Sequence, residues 1–259
     1  MRTGHNSPVK LAERLLLSLS RQPTTTAGNA CSLENALSLL SSSFPGFESG
    51  IAGNEILDFG CGEGLQSAAM GLRGAKRVLG LDINPRSLEH ARMLAADLRL
   101  HDVKFAERLE PRDRGAFDIV ISQNSMEHFP DPGAVLEEMK SALKPKGRIL
   151  ITFGPPWFSP YGSHMSFFTP VPWVNILFPQ SAVMQVRSRY ISDGAIRYEE
   201  VEGGLNRMTV HKFERLVEGC GLSQTYRRYQ CVKRLDFLSK LPLARELLVN
   251  HIACVLEAR

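Results

Sequence analysis

The chain has 259 residues, 43% hydrophobic and 22% charged, and a net charge of +4 from 31 basic and 27 acidic side chains. That length holds one large domain or two small ones at roughly 100–200 residues each, and 21 glycines and 15 prolines are too few for a collagenous or low-complexity chain. The basic residues are scattered without a run of five, so nucleic acid is not an expected partner and the chain reads as a folded, weakly basic protein.

Near the N-terminus the apolar run Leu15-Leu16-Leu17 is flanked by Glu13, Arg14 and Arg21 and makes no signal-peptide core. No apolar stretch reaches transmembrane length. Helical spacing is found over Val9–Leu19 and Leu33–Leu40, on either side of the polar stretch Gln22–Asn29, and residues 1–50 read as a peripheral helical extension. The pattern then changes. Asn54–Phe59, Val78–Asp82, Val103–Ala106, Asp118–Ser122 and Arg148–Phe153 are short apolar runs separated by helical patterns. That alternation predicts an α/β fold over residues 51–259, a doubly wound, mostly parallel sheet with helices on both faces.

Two of the helices carry start signals. Asn84-Pro85 and Asp131-Pro132 each place a capping side chain before a proline whose fixed φ suits the first helical position, and Lys144-Pro-Lys-Gly147 ends the second helix in a turn. Residues 154–180 then interrupt the rhythm with six prolines, two tryptophans and four phenylalanines. They read as an aromatic insertion, either a lid that closes over a ligand through Trp157, His164, Phe168 and Trp173, an apolar ligand pocket, a patch for lipid headgroups or a satellite core. Val210–Gly219 is a further helix, and Ser223–Gln230 and Ile252–Ala258 are strands that complete the sheet at its edge. Cysteines at 31, 61, 220, 231 and 254 show no CxxC pair and an odd total, which points to free thiols in a reducing, cytoplasmic setting and to no bound metal.

The most informative segment is Glu55-Ile-Leu-Asp-Phe-Gly-Cys-Gly-Glu-Gly64, a strand running into a glycine-rich turn before a helical pattern. Glycines there let backbone N–H groups approach a ligand at a helix N-terminus. Counted from Gly60, the third glycine of a dinucleotide fingerprint would fall on Leu65, which disfavours a pyrophosphate. Asp82 follows at the end of the second strand, where a carboxylate can accept from both hydroxyls of a ribose.

Glu55–Gly64, Leu79–Pro85, Phe117–Phe129 and Leu143–Phe153 resemble, in order and spacing, the successive motifs of class I S-adenosylmethionine (SAM) dependent methyltransferases, particularly the broad type 11 family. The resemblance covers about residues 50–155, and residues 205–222 are similar to that family's later helix. It implies a Rossmann-like fold with SAM as cofactor. Asp58 and Gly60-Cys61-Gly62, in the loop closed by Gly64, would hold the methionine end. Asp82 would hold the ribose, Ile83 would pack on adenine, and Ser122 and Gln123 would line the cofactor near the methionine. Where that family often has an acidic residue for the adenine amine, Phe105-Ala-Glu-Arg108 offers only Glu107, which reads equally as a surface side chain.

The stretch Gln123–Asp131 lacks the Asn/Asp-Pro-Pro-aromatic tetrad of amine-directed methyltransferases, so oxygen is the expected acceptor atom. Glu127-His128 is similar to the Glu-His pair of many small-molecule and quinone O-methyltransferases. His128, and His164 in the insertion, are the candidate bases, each with a purely structural alternative. The expected acceptor is a small molecule or glycan. The alternatives are a membrane-associated lipid or quinone reached through peripheral membrane contact, and a non-catalytic binding subunit of the same fold.

Overall fold

The computed structural model describes residues 8–22 and 32–258. Helix α1 spans Pro8–Leu19 and α2 spans Ser38–Ser43. The alternating region runs β1 (Glu55–Phe59), α3 (Leu65–Leu72), β2 (Arg77–Leu81), α4 (Pro85–Asp97), β3 (Val103–Ala106), β4 (Phe117–Gln123), α5 (Pro132–Ala142) and β5 (Leu143–Phe153). Beyond it lie α6 (Val174–Leu177), α7 (Gln180–Arg187), α8 (Val210–Gly219), β6 (Leu222–Cys231), α9 (Pro242–Leu248) and β7 (Val249–Ala258). The seven strands form one sheet in the order β3-β2-β1-β4-β5-β7-β6. β1 to β5 are parallel, and β7 is antiparallel to both β5 and β6.

The sheet is apolar on both faces because its residues alternate between two cores. Leu57, Phe59, Leu79, Leu81, Val120 and Ile149 point to the face covered by α5 and α8, whereas Ile56, Val78, Ile119, Ile121 and Leu150 point to the opposite face. Both helix starts behave as their caps require. Asn84 accepts from the N–H groups of Arg86 and Ser87, and Asp131 accepts from that of Ala134. Lys144–Gly147 bulges from the head of β5. Phe117 and Ile119 of β4 face Leu143 and Arg148 across that bulge, and Lys146 takes a φ of 68°.

Residues 33–51 are integral to the core and not peripheral. Leu37, Leu40, Phe44, Phe47 and Ile51 are buried in the second core. The Tyr226 hydroxyl donates to the Ser43 carbonyl at 3.0 Å, and Arg228 donates to the Ser42 carbonyl. Among the described residues no crossover helix covers the antiparallel edge on this side, and residues 33–51 pack there against Tyr226, Ala253 and Val255. Residues 33–37 form turns, and the helix predicted over Leu33–Leu40 starts only at Ser38.

A third core lies outside the sheet. Leu16 of α1 packs with Met165, Phe168, Val174, Val183, Val186 and Tyr198, so the aromatic material beyond β5 is largely a satellite core, and it extends past residue 180 to Leu205. Cys61, Cys220, Cys231 and Cys254 are free and buried, and Cys31 lies outside the described residues. Among the described residues no helix is long and apolar enough to cross a membrane.

Candidate active site

The carboxyl ends of the parallel strands form a rim, and the strand order reverses direction between β1 and β4. In open α/β sheets that is where ligands bind. Two adjoining clefts open there. One, of about 580 Å³, is lined by Asp82, Ile83, Glu107, His128 and Phe129. The other, of about 280 Å³, is lined by Asp58, Cys61, Gln66 and Gln123. Gly60 borders both.

The three loop glycines have different reasons to be glycine. All take positive φ. A Cβ on Gly62 would meet nothing within 4 Å, so its surface is free for a ligand. A Cβ on Gly64 would lie 2.7 Å from the Ala91 Cβ and 2.8 Å from the Phe105 ring. Gly64, expected among the cofactor-binding residues, permits α3 to pack closely against its neighbours and is not among the residues lining the two clefts. Gly60 is tight against the Ser125 hydroxyl, which joins the β1 turn to the β4 turn.

Asp82 holds the loop in place. One carboxylate oxygen accepts from the Gly62 N–H at 2.9 Å and the other from the Asn84 N–H at 2.8 Å. A carboxylate has about four acceptor positions, so two are left for a diol. Ile83 next to it is 87% exposed, an apolar surface at the cleft that a planar ring could cover. Glu107, whose place the sequence left open, lines the same cleft.

Asp58 is 1% exposed, and its two oxygens accept from Gln66 Nε2 at 2.8 Å and Ser67 Oγ at 2.6 Å. Burial raises its pKa to about 6. Its side chain ties the glycine loop to α3. Cys61 is 9% exposed, and burial pushes its thiol pKa up, so it is no thiolate. Gln123 reaches the smaller cleft. Ser122 does not line either cleft: it is fully buried one residue below the rim, because the alternation of β4 puts it on the face of Val120, which α5 and α8 cover.

Beyond β4, His128 and His164 face each other edge to face with ring centroids 5.6 Å apart. His128 Nδ1 lies 2.7 Å from the Gly204 carbonyl. A carbonyl only accepts, so Nδ1 carries the hydrogen and the Nε2 lone pair is left for another partner. Burial holds the His164 pKa down, at about 4, which makes His164 the poorer base at neutral pH. Glu127 is 3% exposed, with one oxygen accepting from the Gly154 N–H, and burial raises its pKa.

The turn bearing His128 is clamped by a residue the sequence reading missed. Asn206 Nδ2 donates to the carbonyls of Met126 and Phe129, both at 2.7 Å, and the Asn206 N–H donates to the Glu127 carbonyl. Gly203-Gly204 is a glycine pair that marks a turn, but nothing local pairs it with a histidine 76 residues upstream.

The lowered pKa of His164 has a consequence for stability. Its folded value of about 4 lies below the ordinary 6.5, so between those pH values the unfolded chain binds a proton that the folded chain refuses. Stability from this group is complete above pH 6.5 and is lost as the pH falls toward 4. His164→Gln is expected to leave stability near pH 7.5 little changed relative to the parent and to improve it by roughly 1–2 kcal/mol at pH 5. Urea melts at the two pH values check this, and a pH-independent difference would refute it.

Residues 57–151 match the family described as methyltransferase domain. That segment is a type 11 methyltransferase domain. The chain is 35% identical over 106 residues to the ubiquinone biosynthesis O-methyltransferase of Neisseria meningitidis serogroup C, covering 39% of this chain and 44% of that protein. It thus spans under half the length of the curated relatives it matches. Two solved structures share the fold. An S-adenosylmethionine dependent methyltransferase from Mesorhizobium loti has a TM-score of 0.56 at 17% identity, covering 87% of this chain and 99% of the other. The geranyl diphosphate C-methyltransferase of Streptomyces coelicolor A3(2) has a TM-score of 0.55 at 15% identity, covering 98% and 100%. The methyltransferase domain contributes Asp58, Asp82 and His128, while His164, Gly204 and Asn206 come from the 154–209 segment outside the match.

Proposed function

We propose that this chain transfers the methyl group of SAM to a hydroxyl oxygen of a small aromatic acceptor of the quinone-precursor kind. The observation that carries this reading is a single cleft in which Asp82, the exposed Ile83 and His128 meet beside Gly60. The cradle fits SAM in chemistry. Gly62 leaves its face open, Asp82 keeps acceptor capacity for the ribose hydroxyls, and Ile83 offers apolar surface to the adenine. Asp58, and the Cys61 N–H that donates to the Leu81 carbonyl, hold the loop in shape, and Gln123 lines the methionine side. When bound, SAM supplies a methyl group already activated on a sulfonium, so alignment and exclusion of water are the protein's main tasks.

His128 acts in this reading as the base that takes the acceptor's hydroxyl proton at Nε2. Its ring is oriented by the Gly204 carbonyl, which stabilises the imidazolium that forms. Oxygen as the target and an aromatic acceptor are supported by the relatives named for O-methylation in ubiquinone biosynthesis. No observation favours a glycan.

Calorimetry with SAM and its demethylated product tests the cofactor, and mass spectrometry of extract incubated with methyl-deuterated SAM tests the acceptor. Binding of neither cofactor form would refute the reading. Asp82→Ala removes charge-assisted hydrogen bonds worth roughly 1.5–3 kcal/mol, which corresponds to about tenfold to a hundredfold weaker SAM binding. An unchanged Kd in a folded variant would remove Asp82 from the ribose site.

A further inference from the structure

A cavity of about 720 Å³ lies at the other end of the same rim and is larger than either cofactor cleft. It shares no lining residue with them. It sits where β6 ends and β7 begins, Cys231 being paired with Val249. Its volume falls in the range of small-molecule sites, roughly 300–1,000 Å³.

The walls combine two chemistries. Tyr161 and Trp173 from the aromatic segment, with Leu235 and Leu248, supply apolar surface. Trp173 is fixed by two bonds, its N–H to the Pro160 carbonyl at 2.6 Å and its indole N–H to the Phe158 carbonyl at 3.0 Å. Lys233 and Arg234 border the cavity, both with left-handed backbone, φ 54° and 59°. Two consecutive non-glycine residues in that conformation are held only where the surroundings dictate it. Both are exposed, and among the described residues neither forms an ion pair. Asp236, the nearest acid in sequence, accepts from the Cys231 N–H.

The cavity also contains an unsatisfied polar group. His251 lines it, and both of its ring nitrogens are shut off from solvent with no hydrogen-bond partner. Buried polar atoms in folded proteins are normally paired, and one of those nitrogens must donate and the other accept while the ring is neutral.

We propose that this cavity is a binding site for a single-chain anionic amphiphile, an apolar chain or ring bearing a carboxylate or phosphate. The head group lies between Lys233 and Arg234, with His251 in the wall behind it, and the apolar body lies against Trp173, Tyr161, Leu235 and Leu248. This proposal stands apart from methyl transfer. Tyr161 also links the two regions, since its carbonyl accepts from the His164 N–H at 2.9 Å.

The test uses the full chain carrying Trp157→Phe, so that Trp173 is the one indole, titrated with decanoate and decyl phosphate below their micelle concentrations. Decanol and inorganic phosphate are the controls. Saturable binding of one or both amphiphiles with a change in Trp173 emission, at least tenfold tighter than either control, supports the site and identifies the head group. Lys233→Gln combined with Arg234→Gln should weaken that binding at least tenfold while thermal melting and SAM binding are unchanged. Equal binding of decanol or of inorganic phosphate overturns the proposal, as does unchanged affinity in the double variant. Binding only to phosphatidylglycerol vesicles, with no response to monomeric amphiphile, also overturns it and marks the surface as a membrane face.

Discussion

His128→Ala is expected to lower turnover roughly a hundredfold to ten-thousandfold, the span associated with a positioned general base, while SAM affinity stays within a few fold of the parent. The expectation rests on three facts: the His128 ring lines the cleft with Asp82, its Nδ1 is engaged by the Gly204 carbonyl, and its companion His164 is held neutral by burial. A role in packing alone would move stability and SAM affinity together with rate. Turnover and Kd are therefore measured on the same preparation, using the acceptor identified by methyl-deuterium transfer. The base assignment fails if kcat falls less than tenfold with KM unchanged, in which case alignment alone drives the reaction.

Phe168→Ala separates two accounts of the aromatic segment by a comparably large effect. The Phe168 ring is fully buried, stacks on Tyr190 at 5.3 Å and meets Phe167 edge to face. Its carbonyl accepts from the Arg21 N–H at 2.7 Å, which ties α1 to the segment. Truncating a buried phenylalanine costs about 3–5 kcal/mol from lost transfer energy and the cavity left behind, a large part of the stability of an ordinary domain. The expected result is a drop of that size in urea unfolding with little change in acceptor KM at a temperature where the variant is folded. A loss below 1 kcal/mol with a tenfold higher KM would instead place Phe168 on the acceptor.

The existence of the parallel strands, the capped starts of α4 and α5 and the glycine turn were legible in the sequence because each is encoded over a few neighbouring residues, whereas the strand order β3-β2-β1-β4-β5-β7-β6 came only with the structure. Val103–Ala106 and Val210–Gly219 have in the structure the bounds their periodicity indicated. Apolar runs of four to six residues alternating with helical patterns, two of them with proline-marked starts, specify buried parallel strands. Asp82 was identifiable for the same reason, since strand end and loop fix its place beside Gly62.

Only the tertiary structure decided the rest. Asp58, Ser122 and Gly64 are all close in sequence to the glycine turn or a strand end, yet Asp58 bonds to Gln66 and Ser67, Ser122 is buried below the rim and Gly64 accommodates Ala91 and Phe105. Alternation sets which face a strand side chain takes, but whether that face is open or covered at the strand end depends on the helix packed beside it, and that helix is specified elsewhere in the chain. The same holds for residues 32–51, whose apolar side chains gain a partner only when β6 and β7 present a bare face. His128 and His164 are 36 positions apart in the chain and come into contact because the turns after β4 and β5 meet at one rim, with Asn206 and Gly204 closing over them from still further along. Local patterning set the elements and the loop, and long-range packing selected which of the residues near that loop face the cleft.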